Sequence, residues 1–206
     1  MQSKLPYEKV IGVFGSANTQ PGTPDYTEAV TLGAALAGAG YAVMTGGYGG
    51  VMGAISQGAA EAHGHAIGVT VGLFKSRGLI PNSFLHEEVH LPTLAERLNY
   101  LIVKPDAYVV LKGGAGTLSE MALAWSLLQV GEVPPRPLVL VGAMWRELIP
   151  HFATVTTITQ QDIRLLTLVD RGDEVVPALT SWWANPPQVP LRLGDVQKTP
   201  PLGDNL

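Results

Sequence analysis

Apolar residues along this chain fall into two kinds of run. Some are short, unbroken and rich in β-branched or aromatic residues: Lys9 to Gly15, Tyr41 to Thr45, Ala66 to Val71, Ala107 to Leu111 and Pro137 to Gly142. Such runs predict strands, and strands without polar alternation are buried on both faces. A weaker run, Glu88-Val89-His90-Leu91, predicts one more short strand. Elsewhere the apolar positions recur at helical spacing, as in Ala29, Val30, Leu32, Gly33, Leu36 and Ala37. Thr23-Pro24 opens that helix, threonine capping and proline losing no needed donor, and Gly38 and Gly40 stop it. A small-residue helix is expected to end near His63-Gly64, and the capping-box pattern Thr93-Leu94-Ala95-Glu96 opens one through about Val103. Further helices are expected over Met121 to Leu128, Met144 to Phe152 and Asp173 to Trp183. Gly72 to Ser83 has no period and carries Lys75 and Arg77, so it reads as a surface loop.

Apolar strands separated by helices predict an α/β fold: a doubly wound, mainly parallel sheet covered on both faces. Ligands in such sheets bind at the carboxyl ends of the strands, where the strand order reverses. Three glycine turns follow strand ends: Gly15-Ser16, Gly46 to Gly53, and Gly113 to Gly116. They are expected to line one edge of the sheet, which makes Gly15, Ser16, Gly46, Gly47, Gly50 and Met52 candidate pocket residues. One domain is expected over residues 1–185, followed by a Pro-rich, mobile tail over 186–206.

The third turn carries the chemistry. Lys112-Gly113-Gly114-Ala115-Gly116-Thr117-Leu118-Ser119-Glu120 stands between a strand and a helix, where backbone N–H groups and the helix dipole hold a phosphate. Glu120, one turn inside the helix, would repel that phosphate, so its natural target is a carbon farther along the ligand. The competing reading is structural, because Thr117-Leu118-Ser119-Glu120 is itself a capping-box pattern.

Composition narrows the classes. At 206 residues and 46% hydrophobic, the chain has a sizeable core. A net charge of −4 argues against a nucleic-acid or anionic-membrane surface but not against a small phosphorylated ligand. With no cysteine there are no disulfides or thiolate metal sites. No apolar run reaches about 18 residues and the N-terminus lacks a signal-type core, so a cytoplasmic protein is expected. His63, His65, His86 and His90 make no recognisable metal-ligand motif. The second glycine cluster is not a clean GxGxxG, and no acidic residue ends the second strand, which disfavours a dinucleotide oxidoreductase.

Over roughly residues 9 to 180 the sequence resembles the LOG-like proteins, once labelled "possible lysine decarboxylases", whose modified Rossmann fold carries a PGGxGTxxE motif. That motif corresponds to Lys112 through Glu120, with Lys112 in place of the proline. The family's upstream arginine corresponds to Arg97, followed by Leu98 where the plant-type motif has lysine, and its GGxxGxMGA element to Gly46 through Ala54. The resemblance implies a phosphoribohydrolase that cleaves a purine or cytokinin-type nucleoside 5′-monophosphate to free base and ribose 5-phosphate. It implies a homodimer that needs neither metal nor organic cofactor. By the same analogy Gly113, Gly114, Gly116 and Thr117 hold the phosphate, and Arg97 and Glu120 are the catalytic pair. The bland reading of Arg97 is a surface ion pair with Glu96 or Asp106. Tyr48 is a candidate for lining the base pocket. The Gly-Thr-Leu-Ser-Glu phrase is also close to relatives described as molybdenum-cofactor carriers, so a non-catalytic nucleotide- or molybdenum-cofactor-type carrier is the alternative.

Overall fold

β1 (Lys9–Phe14) runs through the middle of a seven-stranded sheet with the order β4-β3-β2-β1-β5-β6-β7. Its neighbours are β2 (Tyr41–Thr45) and β5 (Ala107–Val110); beyond them lie β3 (Ala66–Val71) and β4 (Glu87–Leu91) on one side, β6 (Leu138–Val141) and β7 (Leu166–Val169) on the other. Every ladder is parallel; Ile11 sits level with Val43 on one side and Ala107 on the other. The strand order reverses between β1 and β5. The computed structural model describes residues 7–187; the expected tail lies almost wholly outside the described residues.

Helices connect the strands: α1 (Pro24–Gly38), α2 (Val51–Glu61), α3 (Gly72–Ser76), α4 (Leu94–Val103), α5 (Ala115–Val130), α6 (Ala143–Val155), α7 (Gln160–Ile163) and α8 (Val175–Ala184). Strand alternation divides the core in two. Ile11 and Val13 face Leu32 and Leu36 of α1, Ile55 of α2 and Leu179 of α8. Phe14 and Tyr108 face Leu101 of α4, Trp125 of α5 and Trp145 of α6. The sheet is therefore covered on both faces, as unbroken apolar strands require.

The expected elements form, with four differences. Residues 72–76, expected in a loop, make α3, whose five residues are too few to show a period. β7 was not expected: its four residues, interrupted by Thr167, follow the four-residue α7 closely and do not form an unbroken apolar run. The helix expected from Asp173 starts as a 3₁₀ turn over Gly172–Glu174 and becomes α-helical at Val175. The helix after β5 begins at Ala115, so the third glycine turn is already partly helical.

Candidate functional site

The three glycine turns meet at the backbone of Ser16. Its N–H donates to the carbonyl of Lys112 in the third turn at 3.1 Å, and its carbonyl accepts from Val51 N–H, at the end of the second turn, at 2.8 Å. Two glycines make this meeting possible. A Cβ on Gly15 would stand 2.6 Å from Cγ1 of Val51, and Gly50 has φ +68° with the Ser16 carbonyl directly where its side chain would be. Between the turns after β1 and β5, beside the reversal point, lies a cleft of about 420 Å³.

One wall of the cleft is the start of α5. Its N-cap, Gly114, supplies no side-chain cap, so the first N–H groups of a 16-residue helix are open to a ligand. A Cβ on Gly114 or Gly116 would meet nothing within 4 Å. Thr117, third in the helix, is buried against Gly113. The competing capping box over Thr117 to Glu120 does not form, because the helix starts two residues before Thr117. Ser119 Oγ turns back to the carbonyls of Ala115 (2.8 Å) and Gly116 (2.9 Å), and Glu120 lines the cleft. Burial pushes the Glu120 carboxyl up to about 7, against the downward pull of Arg97.

Arg97 lines the cleft from α4, at only 6% exposure. Its Nε donates to the Val69 carbonyl at 2.7 Å and its Nη2 to the Gly46 carbonyl at 3.0 Å. The guanidinium lies 5.9 Å from the ring centre of Tyr48 and 5.6 Å from that of Phe74, within cation–π range. The surface ion-pair reading therefore fails: Glu96 closes the Thr93 capping box and Asp106 accepts from Val10 N–H. Burial lowers the guanidinium pKa from its ordinary value, and the Glu120 charge opposes this.

Of the residues expected at the site, Gly15, Ser16, Gly46, Met52, Arg97, Gly114, Gly116, Thr117 and Glu120 line this cleft. Gly47, Gly50 and Gly113 do not; they shape the turns behind it. Tyr48 does not line this cleft. Its buried hydroxyl accepts from Val71 N–H at 3.0 Å and donates to Val71 O at 3.3 Å, tying the second turn to β3. Lys112 is exposed and does not line the cleft. Phe74, Leu94, Leu98 and Asn18 were missed. Leu94, Arg97 and Leu98 follow helical spacing and so share one side of α4, a signal present in the sequence. Among the described residues no group of His, Asp and Glu could hold a metal ion, and no helix is long and apolar enough to cross a membrane.

Residues 8–130 match the family model described as the SLOG cluster4 family. Two curated relatives, from Mycobacterium tuberculosis and Mycobacterium marinum, are each named cytokinin riboside 5′-monophosphate phosphoribohydrolase. The first is 34% identical over 114 residues, covering 55% of this chain, and the second 36% identical over 136 residues, covering 61%. The match spans 60% and 66% of those relatives' own length, a little under two thirds. Among solved structures, the molybdenum cofactor binding protein of Rippkaea orientalis aligns with a TM-score of 0.67 at 24% identity, over 84% of this chain and 96% of its own. The molybdenum cofactor carrier protein of Chlamydomonas reinhardtii aligns with a TM-score of 0.68 at 25% identity, over 86% and 99%.

Proposed function

The chain belongs to the SLOG cluster4 family, and from that premise we propose that it is a phosphoribohydrolase, releasing free base and ribose 5-phosphate from a purine or cytokinin-type nucleoside 5′-monophosphate. The observation that carries this reading is the placement of Glu120 in the same cleft as the uncapped start of α5. A 5′-phosphate on the Gly114 to Thr117 amides leaves the sugar to extend along the cleft toward Glu120. Cleavage of the N-glycosidic bond builds positive charge on C1′ and the ring oxygen, which a carboxylate stabilises. A carboxyl titrating near 7 also suits proton transfer at neutral pH. Glu120 takes a proton from water as the water oxygen bonds to C1′; the C1′–N bond breaks, its electrons go to the base, and the base takes up the proton. Arg97, fixed on two carbonyls, holds positive charge beside that carboxylate.

The names of the two mycobacterial relatives support the reaction. A homodimer is part of the same proposal: α5 is apolar on nearly every side, yet Leu118 is 39% and Val130 46% exposed, and such helices are ordinarily covered.

The likeness to the molybdenum cofactor carrier protein is consistent with a second reading, a carrier that binds without turnover. Incubating the purified protein with AMP and with isopentenyladenosine monophosphate separates the two. Free base and ribose 5-phosphate, absent with folded Glu120→Ala, support the hydrolase. No product from either nucleotide, with a ligand retained through purification, supports the carrier.

A further inference from the structure

Leu94, Arg97 and Leu98 stand at i, i+3 and i+4 of α4, so one side of the helix carries all three. Arg97 is drawn inward to the carbonyls of Val69 and Gly46. Leu94, Leu98 and Phe74 of α3 remain as the cleft wall on that side, and none of them has a side-chain donor or acceptor. Apart from Arg97, the hydrogen-bonding groups of the cleft are the first amides of α5 with Thr117, Ser119 and Glu120, and Ser16 and Asn18 on the turn after β1. That turn is bonded through the Ser16 backbone to Lys112, at the start of the third glycine turn. Leu94 is 45% exposed. One exposed leucine is ordinary, but three apolar side chains on one wall of a cleft form a surface for an apolar part of a ligand.

Building on the phosphoribohydrolase reading, we propose that Phe74, Leu94 and Leu98 are the base subsite and that it accepts purine rings irrespective of their exocyclic groups. With the phosphate on the α5 amides and C1′ beside Glu120, the base extends past Glu120 toward α4. There it is held by contact with its ring, and its exocyclic groups are not read. The consequence is a tolerance that can be measured. An apolar pocket discriminates by about 10–200-fold, whereas a site built to hydrogen-bond a group rejects the analogue lacking it by about 10⁴–10⁵. AMP, IMP and purine riboside 5′-monophosphate, which has no exocyclic group, are therefore all substrates.

The test compares kcat/KM for these three nucleotides in the wild type, Leu98→Ala and Leu94→Ala. The second variant alters an exposed side chain and guards against loss of folding at the first. The wild-type values are expected to agree within about 200-fold. Both variants are expected to raise KM about tenfold for all three, more than they lower kcat, as loss of uniform binding does. Ribose 5-phosphate, measured by calorimetry as the base-free probe, is expected to bind all three proteins alike. A loss of about 10⁴ with purine riboside 5′-monophosphate, or unchanged KM in both variants, overturns the proposal. If the wild type releases no base from any nucleotide, the hydrolase reading fails instead, and calorimetry decides the subsite. Nucleotide binding weakened in Leu98→Ala sustains it; nucleotide affinity equal to that of ribose 5-phosphate overturns it.

Discussion

Arg97 and Glu120 face one cleft from different helices, yet the arginine is bonded to backbone and not to the carboxylate. Nε and Nη2 are held by the carbonyls of Val69 and Gly46 at 2.7 and 3.0 Å, while the positive charge still lowers the Glu120 pKa from where burial alone would put it. A close ion pair would have kept the carboxyl ionised and occupied. Holding the cation on carbonyls instead leaves Glu120 free to meet a ligand and titrating at about 7.

Replacing that carboxyl separates function from folding. Glu120→Gln is expected to lose about 10²–10⁴ in rate while the protein stays folded. Its stability should depend on pH in a defined direction. The carboxyl titrates at about 7 in the folded protein against an ordinary 4.5. Between those values the folded state holds a proton that the unfolded chain releases, so this group's stabilising contribution is present below 4.5 and is lost as pH rises through 7. Glu120→Gln should therefore melt higher than wild type at pH 8, by on the order of 1–2 kcal/mol after solvent screening, and alike at pH 4. Equal melting temperatures at pH 8 would place the carboxyl in an ordinary environment.

The same group sets the pH–rate profile. With Glu120 acting as a base, kcat/KM for AMP is expected to rise with pH through a limb at about 7. Arg97→Met removes the cation that holds this value down, so the limb should move above 7. The variant also leaves two carbonyls without their donors, at a cost of about 1–3 kcal/mol in stability. A limb that stays in place would show that the titrating group is not Glu120.

The five inner strands, β1, β2, β3, β5 and β6, were legible because they are short, mostly apolar runs, and the ligand edge was legible because a glycine turn follows β1, β2 and β5. Three short elements were not: α3 and α7 display no period, and β7, interrupted by Thr167, lacks the unbroken apolar run that marks the equally short β5 and β6. At the site, the sequence placed Gly114, Gly116, Thr117, Arg97 and Glu120 near one another in order but not in space. It could not separate glycines that line the cleft from Gly47, Gly50 and Gly113, which shape turns behind it. The difference lies in what faces each Cβ position, and that is supplied by distant residues. The partner of Tyr48 was hidden for the same reason: Val71 belongs to β3.

Glycines of the third turn should therefore divide by substitution. A methyl on Gly114 or Gly116 meets open space, and Gly116 lies within α5, so alanine there is expected to keep or raise stability, by about 0.5–1 kcal/mol at Gly116. Both variants nevertheless put a Cβ where the phosphate would rest, and KM for AMP should rise at least about tenfold. Gly113→Ala instead drives its methyl into the buried, β-branched Thr117 and is expected to destabilise by about 1–3 kcal/mol. Thermal melts alongside steady-state kinetics check all three, and a Gly114→Ala enzyme with unchanged KM would move the phosphate off this turn.

Binding of the phosphate can also be read without turnover. A ligand that binds only the folded state stabilises it by about 2.7 kcal/mol at a hundredfold excess over its Kd. Ribose 5-phosphate, carrying the anionic group without the base, is expected to raise the melting temperature of the wild type and of Glu120→Gln alike, because the α5 amides and not the carboxyl hold it. Gly114→Ala should lose most of that shift. The neutral sugar ribose at the same concentration should give none, since the open amides of α5 select for negative charge. A shift that survived Gly114→Ala yet vanished in Glu120→Gln would reverse the assignment of the two ends of the cleft.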